Sequence, residues 1–402
     1  MSSNTTEELS LTQATERRIP VSLEAFIQNE TIVACSPGRI NFIGEHTDYN
    51  NGFVLPAAID KAAYIALTPR ADEEIHLHSI DLNDHFVTDI HNVEKHASKS
   101  WPNYILGVVE QFRKKGFALK GFDAALTADV PIGAGLSSSA AVECATAFAL
   151  NSFFQAGFDK QTLVKMAQKA EHEFAGVQCG IMDQFASVFG KHNHVIRLDC
   201  RSLEYVYEPL QMDGYKVVLL DTNVHHSLAS SEYNVRRQQC EKGLSFIQQQ
   251  HHPEVNSLRD VTVEMLDTYV MPNDELIYNR CRYVVDENAR LLAACNDLEN
   301  NDIVAFGKKM FETHDGLSKL YEVSCKELDF LVDQVRDNPA VVGARMMGGG
   351  FGGCTINLVK EDHIDALVEE ITKAYKENMH KDLKFYIAKI EDGSQVLKEG
   401  GK

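Results

Sequence analysis

Residues 131–142, Pro-Ile-Gly-Ala-Gly-Leu-Ser-Ser-Ser-Ala-Ala-Val, constrain this chain more than any other stretch. Gly133 and Gly135 admit backbone angles that a β-carbon resists. Three hydroxyls follow, on Ser137, Ser138 and Ser139, and then an apolar, alanine-rich run over 140–150 that reads as a helix. A glycine turn that opens a helix aims free N–H groups and the positive end of the helix dipole at one point, a geometry suited to phosphate. The loop has no Gly-Lys-Ser/Thr ending, so it is not a Walker A loop, and it lacks the Gly-x-Gly-x-x-Gly spacing of dinucleotide folds. Without a ligand the same residues make a plain helix start, with Ser137 as N-cap and the glycines as turn residues.

At 402 residues the chain is long enough for one large or two ordinary domains. Its net charge of −19 argues against a nucleic-acid or anionic-membrane partner, either of which needs a basic face. A nucleotide remains compatible, because local N–H groups and Mg²⁺ outweigh distant surface charge. Nine cysteines with no Cys-x-x-Cys pair read as free thiols in a reducing, cytoplasmic setting. The first twenty residues are polar, which excludes an ordinary secretory signal and suggests a disordered lead-in over 1–20. No apolar run is long enough to predict a membrane span.

Short apolar or alternating runs predict strands at 31–35, 62–68, 75–80, 122–128 and 216–221. Helical spacing predicts helices over 101–116, ending at Gly116, over 137–150 and near 160–175. Residues 36–52 read as a polar, glycine-bearing loop, 230–340 as mostly helical, and 341–359 as strand and glycine loop. Strands cluster rather than alternate strictly with helices, so an α+β fold is favoured over a doubly wound sheet. The lobes are expected over 21–210 and 211–402.

Four segments carry candidate chemistry. The run from Gly38 to Asn50 packs Arg39, Glu45, His46 and Asp48 into a short span. Carboxylates and an imidazole at that density can grip sugar hydroxyls, and the planar fork of Arg39 can meet a phosphoryl group. A solvated polar loop is the plainer alternative. The second segment is the glycine-serine loop. The third joins Glu171-His172-Glu173 to Cys179-Gly180-Ile181-Met182-Asp183-Gln184. One of Glu171 and Asp183 could hold Mg²⁺ while the other faces an attacking hydroxyl; alternatively both are surface acids. The fourth is Gly348-Gly349-Gly350-Phe351-Gly352-Gly353-Cys354, a backbone free to lie against a ligand or another loop. Trp101 reads as core or as a nucleotide-base wall. The histidines at 192, 194, 225, 226, 251 and 252 lack metal-ligand spacing and read as turn or surface residues.

Together these segments specify phosphoryl transfer to a hydroxyl, and the three glycine-bearing motifs resemble those of the GHMP small-molecule kinases. The run Gly-Arg-Ile-Asn-Phe-Ile-Gly-Glu-His-Thr-Asp-Tyr is similar to the mark of the galactokinase branch. Asp-Cys-Arg-Ser-Leu at 199–203 and the stretch 226–233 add to the likeness, which runs from about 25 to 395. It implies a ribosomal-protein-S5-like N-terminal lobe and a ferredoxin-like C-terminal lobe. It also implies ATP, Mg²⁺ and α-D-galactose as ligands, with galactose 1-phosphate, the first committed product of galactose catabolism, released from a monomer.

By the same resemblance Asp183 is the catalytic aspartate and Arg39 its assisting arginine. Ser139 and Glu171 bind magnesium. Gly133, Ala134, Gly135, Leu136, Ser137, Ser138 and Ser139 surround the ATP phosphates. Glu45, His46, Thr47, Asp48, Gly180 and Tyr233 contact sugar, and Ser79 and Trp101 lie on the nucleotide side. Met347 departs from the family's usual threonine, removing a hydroxyl near the phosphates and lowering the rate modestly. N-acetylgalactosamine or arabinose as substrate, and a sugar-and-ATP sensor without catalysis, stand as alternatives; the intact run from Ser137 to Ala141 favours an enzyme.

Overall fold

The β-branched start at 31–35 opens a longer strand, Ile32–Asn41, that continues through what the sequence suggests is loop. A register shift between Pro37 and Arg39 makes this possible, by letting the strand bend and still pair with Pro56–Pro69. The computed structural model describes residues 17–224, 229–250 and 254–401. Most of the 1–20 lead-in, residues 226–228 of the similar stretch, and the histidines at 225, 226, 251 and 252 lie outside the described residues.

Ile32–Asn41 sits inside a six-stranded sheet. The order is Gln395–Lys398, Ile32–Asn41, Pro56–Pro69, Phe122–Ala128, Glu74–Ser79 and Asp84–Asp89. Pairing is antiparallel except between Glu74–Ser79 and Phe122–Ala128. The helix Ser138–Phe153 lies across Ile32–Asn41 and Pro56–Pro69. Its Ala140, Ala141, Ala145 and Ala149 are fully buried, and small side chains let the helix axis settle close to the sheet. That closeness brings the glycine-serine loop onto the strand: Arg39 N–H donates to Leu136 O at 3.1 Å. At Gly38 a β-carbon would stand 2.6 Å from that same carbonyl, so only glycine fits.

The remaining strands form a three-stranded sheet (Phe53–Val54, His194–Asp199, Tyr205–Pro209) and a four-stranded one. The latter runs Val341–Met346, Cys354–Lys360, Tyr215–Asp221, Lys384–Ala388. Against it pack the helices Ile303–Gly316 and Lys326–Arg336, and Glu275–Glu299 packs on Ile303–Gly316. The helical expectation for 230–340 thus holds, and the sheets and helices are arranged as an α+β fold. The hairpin strand Asp84–Asp89 carries too many polar residues to announce itself, and the edge strand Lys384–Ala388 is a run of only five residues with no clear alternation.

Arg345 ties the four-stranded sheet to the six-stranded one. Fully buried, it donates from Nε to Phe42 O at 2.7 Å and from Nη2 to Asn41 O and to Glu45 Oε1 at 2.7 Å. Its Nη1 bonds Met346 O at 2.9 Å. Arg345→Leu should leave Glu45 buried without its cation and cost about 3–5 kcal/mol. Chemical denaturation would check this, and Arg345→Lys, which keeps the charge but not the fork, should fall between leucine and the parent.

Candidate active site

The first turn of the helix Met182–Phe189 carries Asp183 into the space between the two glycine-bearing loops. Arg39 Nε donates to Asp183 Oδ1 at 2.8 Å, and Arg39 Nη1 donates to Gly135 O at 2.6 Å. Arg39 is 4% exposed, so this fork is held rigidly. Ser137 does not cap the helix, as the plainer sequence expectation had it. Its backbone is left-handed, φ +57°, and its hydroxyl donates to Asp183 Oδ2 instead. A non-glycine residue held there stores strain, which tends to collect at functional sites. Asp183 is therefore gripped from both oxygens by the phosphate-type loop and by the strand that carries Arg39.

Two residues on from Ser137, in the first turn of the helix, Ser139 Oγ donates to Glu171 Oε1 at 2.9 Å. The other oxygen of Glu171 accepts from Gln184 Nε2 at 2.6 Å and from the Cys179 thiol at 3.4 Å. Burial, and then the charge of Asp183, raise the Glu171 pKa, while these hydrogen bonds pull the other way. Gln184 also reaches Glu143, a fully buried acid whose pKa burial, and then Glu171, push well up. Glu143 is not among the sequence candidates, and Gln184 stands in the third candidate segment without a role. The signal was present: Glu143 is the only charged residue of Ser138–Phe153. No group of three or more His, Cys, Asp or Glu side chains is built to hold a metal among the described residues. The Ser139–Glu171 oxygen pair fits a small hard cation that keeps waters and shares phosphate oxygens rather than one caged by protein alone.

The segment after Ile43 curls back over the same space. Arg39, Glu45, His46, Asp48, Glu171, Cys179, Asp183, Tyr233 and the Gly348–Gly349 backbone line a cavity of ≈ 160 Å³. Glu45 Oε1 accepts from Arg345 and from Gly348 N–H at 2.7 Å, and Oε2 from Asn41 at 2.9 Å. Burial raises its pKa, but Arg345, Arg39 and the Gly348 N–H outweigh that and hold it below the usual range. Gly180 allows close approach: a β-carbon there would lie 1.9 Å from Asp48 Oδ2. Thr47 is fully buried and faces away, its hydroxyl bonding Gly44 O at 2.8 Å and Phe53 O. It braces the loop rather than lining the cavity.

Ser79 and Trp101 come together elsewhere. Ser79 pairs with Asp84 across their hairpin, and Trp101 Nε1 donates to Asp84 Oδ2 at 2.9 Å. Neither lines the cavity. Met347 also differs from expectation. Its side chain is fully buried in the main apolar core, and only its backbone lies against Gly135. Met347→Thr should therefore lower stability by about 2 kcal/mol or more, measured by denaturant titration, since it leaves a void and buries a hydroxyl.

Four acids around one arginine make this cleft electrostatically tense. Burial, and then the Asp183 charge, push the Asp48 pKa up to about 7. Sign follows directly: the neutral form is favoured by folding. Its stability contribution is full below the ordinary value of 3.8 and is lost as pH rises through about 7. Asp48→Asn should remove that loss, of order a few kcal/mol. Thermal melts at about pH 4 and pH 8 should show the variant gaining on the parent as pH rises across that window; parallel melts would contradict it.

Comparison with known proteins agrees with this geometry. Residues 103–191 match the GHMP kinases N terminal domain, 23–69 the galactokinase galactose-binding signature, and 292–377 the GHMP kinases C terminal model. A galactokinase of Thermotoga maritima is 43% identical over 90% of this chain and 99% of its own length. One from Clostridium acetobutylicum is 41% identical over 90% and 94%. The crystal structure of Lactococcus lactis galactokinase complexed with galactose superposes with a TM-score of 0.88 at 34% identity, covering 93% of this chain and 97% of that one. The Methanococcus jannaschii mevalonate kinase shares the fold at 18% identity, with a TM-score of 0.63 over 91% and 100% of the chains. This chain belongs to the galactokinase family of the GHMP kinases.

Proposed function

We infer that this chain transfers the terminal phosphoryl group of ATP to the C1 hydroxyl of galactose, giving galactose 1-phosphate. The observation that carries the inference is the double grip on Asp183, by Arg39 on one oxygen and Ser137 on the other, at the wall of a cavity rich in hydroxyl-gripping groups. Phosphoryl transfer leaves little covalent work to a protein, so positioning and charge neutralisation dominate.

In this mechanism Asp183 orients the incoming hydroxyl and takes its proton as the new P–O bond forms. Arg39 faces the developing charge on the transferred group. The N–H groups of residues 133–139 receive the nucleotide phosphates. Glu45, His46, Asp48 and Tyr233 hold the sugar, with Gly180 leaving room for Asp48. Ser139 and Glu171 would hold Mg²⁺, which when bound neutralises phosphate charge. Ser79 and Trp101 are assigned to the nucleotide side.

The lobes expected over 21–210 and 211–402 exchange a strand, because Gln395–Lys398 pairs with Ile32–Asn41 in the first lobe's sheet; they would close on the substrates within one chain, so a monomer suffices. All nine cysteines are free thiols and no described helix is long and apolar enough to cross a membrane. The thiols support a reducing, cytoplasmic setting.

A coupled ADP-release assay with galactose, N-acetylgalactosamine, glucose and arabinose, with and without Mg²⁺, tests the substrate and the metal. Galactose with Mg²⁺ should give the highest turnover. Asp183→Ala should leave sugar binding measurable by calorimetry yet reduce kcat at least ~100-fold, the low end for a positioned proton acceptor. Near-normal turnover in that variant would remove Asp183 from the role.

A further inference from the structure

Behind the cavity wall a line of polar groups runs from the C-terminal helices to the sugar loop. The Cys240 Sγ lies 3.1 Å from Tyr321 Oη, which lies 2.7 Å from Tyr49 Oη, which lies 2.7 Å from His46 Nδ1. At the far end His46 Nε2 faces Gly349 O at 3.3 Å. Tyr321 and Cys240 are essentially inaccessible, and His46, 4% exposed, is open only along the cavity wall. The ring of Tyr283 packs on Tyr321 at 4.8 Å and that of Tyr233 on His46 at 5.1 Å, which fixes the planes of the chain.

The chain has one consistent orientation. Gly349 O can only accept, so Nε2 must carry the ring proton. Nδ1 is then the acceptor, and Tyr49 must donate to it. Tyr49 has a single hydroxyl proton, so its oxygen accepts from Tyr321, and Tyr321 accepts from the Cys240 thiol. The opposite orientation would set a bare Nε2 lone pair against a carbonyl. Burial holds His46 neutral, its pKa lowered to about 4, so a second ring proton does not upset the order.

We propose that Cys240, Tyr321 and Tyr49 are positioning residues, a one-way hydrogen-bond chain that fixes His46 as its Nε2–H tautomer and so presents an N–H donor to a sugar hydroxyl oxygen. Glu45 and Asp183 offer the sugar acceptors, so this neutral donor supplies what those two carboxylates cannot. The 3.3 Å contact to Gly349 O is long and yields readily to a better acceptor. The placing of His46 at the sugar rests on the function inferred above; the tautomer itself does not.

The test combines ¹⁵N–¹H NMR of the imidazole, assigned with His46→Gln, and steady-state kinetics on the full chain. The parent should show Nε2 protonated and Nδ1 bare. Tyr49→Phe should give mixed tautomers and raise the galactose KM ~10-fold, the scale of one ordinary hydrogen bond, with kcat within about twofold. Tyr321→Phe should act the same way but less, and Cys240→Ser should match the parent where Cys240→Ala does not. If Tyr321→Phe fails to fold, the cysteine pair carries the same comparison. An Nδ1–H tautomer in the parent, or unchanged tautomer and KM in Tyr49→Phe, would overturn the proposal. Should galactose prove not to be the substrate, the kinetic readout would vanish in every variant while the tautomer readout would remain.

Discussion

The site depends on a guanidinium that never meets solvent. Arg345 leaves its own sheet, crosses to the neighbouring one and spends its donors on Asn41, Phe42, Met346 and Glu45. Each backbone acceptor on that far side belongs to the strand end and turn that carry the sugar loop. Glu45 answers with a second bond to Gly348 N–H, so the third glycine motif is registered against the first through one carboxylate. A buried ion pair is weak evidence for stability in general, because desolvation offsets the attraction. Here its value is geometric. It fixes where two sheets stand relative to each other, and the cavity is the space left between them.

Within that frame the charges are unequal. Among the described residues Arg39 is the only cation lining the cavity, against Glu45, Asp48, Glu171 and Asp183. Burial, and then the charge of Asp183, leave Asp48 and Glu171 easier to protonate than ordinary acids, and Arg39 itself is desolvated yet held charged by its carboxylate neighbours. A cation or a set of hydroxyl donors entering the cleft relieves the repulsion. Binding of such groups is thus favoured by a tension that the cleft holds at some cost to stability.

Much of this was legible before any coordinates. Glycines at 133 and 135, the serine run and Asp183 after Gly180 announced themselves because backbone freedom and polar density are local properties. The strands Phe122–Ala128 and Tyr215–Asp221 likewise matched their apolar runs. What the sequence concealed was non-local. Ser137 looked like a cap because its spacing to the helix is right, but an acid 46 residues away claims its hydroxyl. Residues 36–41 looked like loop because they are polar, yet they form strand since a bulge and a helix cover them. Thr47 sat among ligand-type neighbours and faces inward. Arg345 and Tyr321 gave no sign, because a long side chain reaching across an interface leaves no periodic trace in its own segment.

The strand that bears Arg39 is also the strand that waits longest for its partner. One side of Ile32–Asn41 pairs with Pro56–Pro69 early in the chain, but the other pairs with Gln395–Lys398, joining Cys35 to Gln395 and Val33 to Lys398. During synthesis that flank stands open, an unpaired edge of the kind that invites association with other chains. Closing it is a contact of very long sequence separation, which is slow. The catalytic strand therefore stays one-sided until Gln395–Lys398 reaches it, and that flank is where association with other chains is to be avoided.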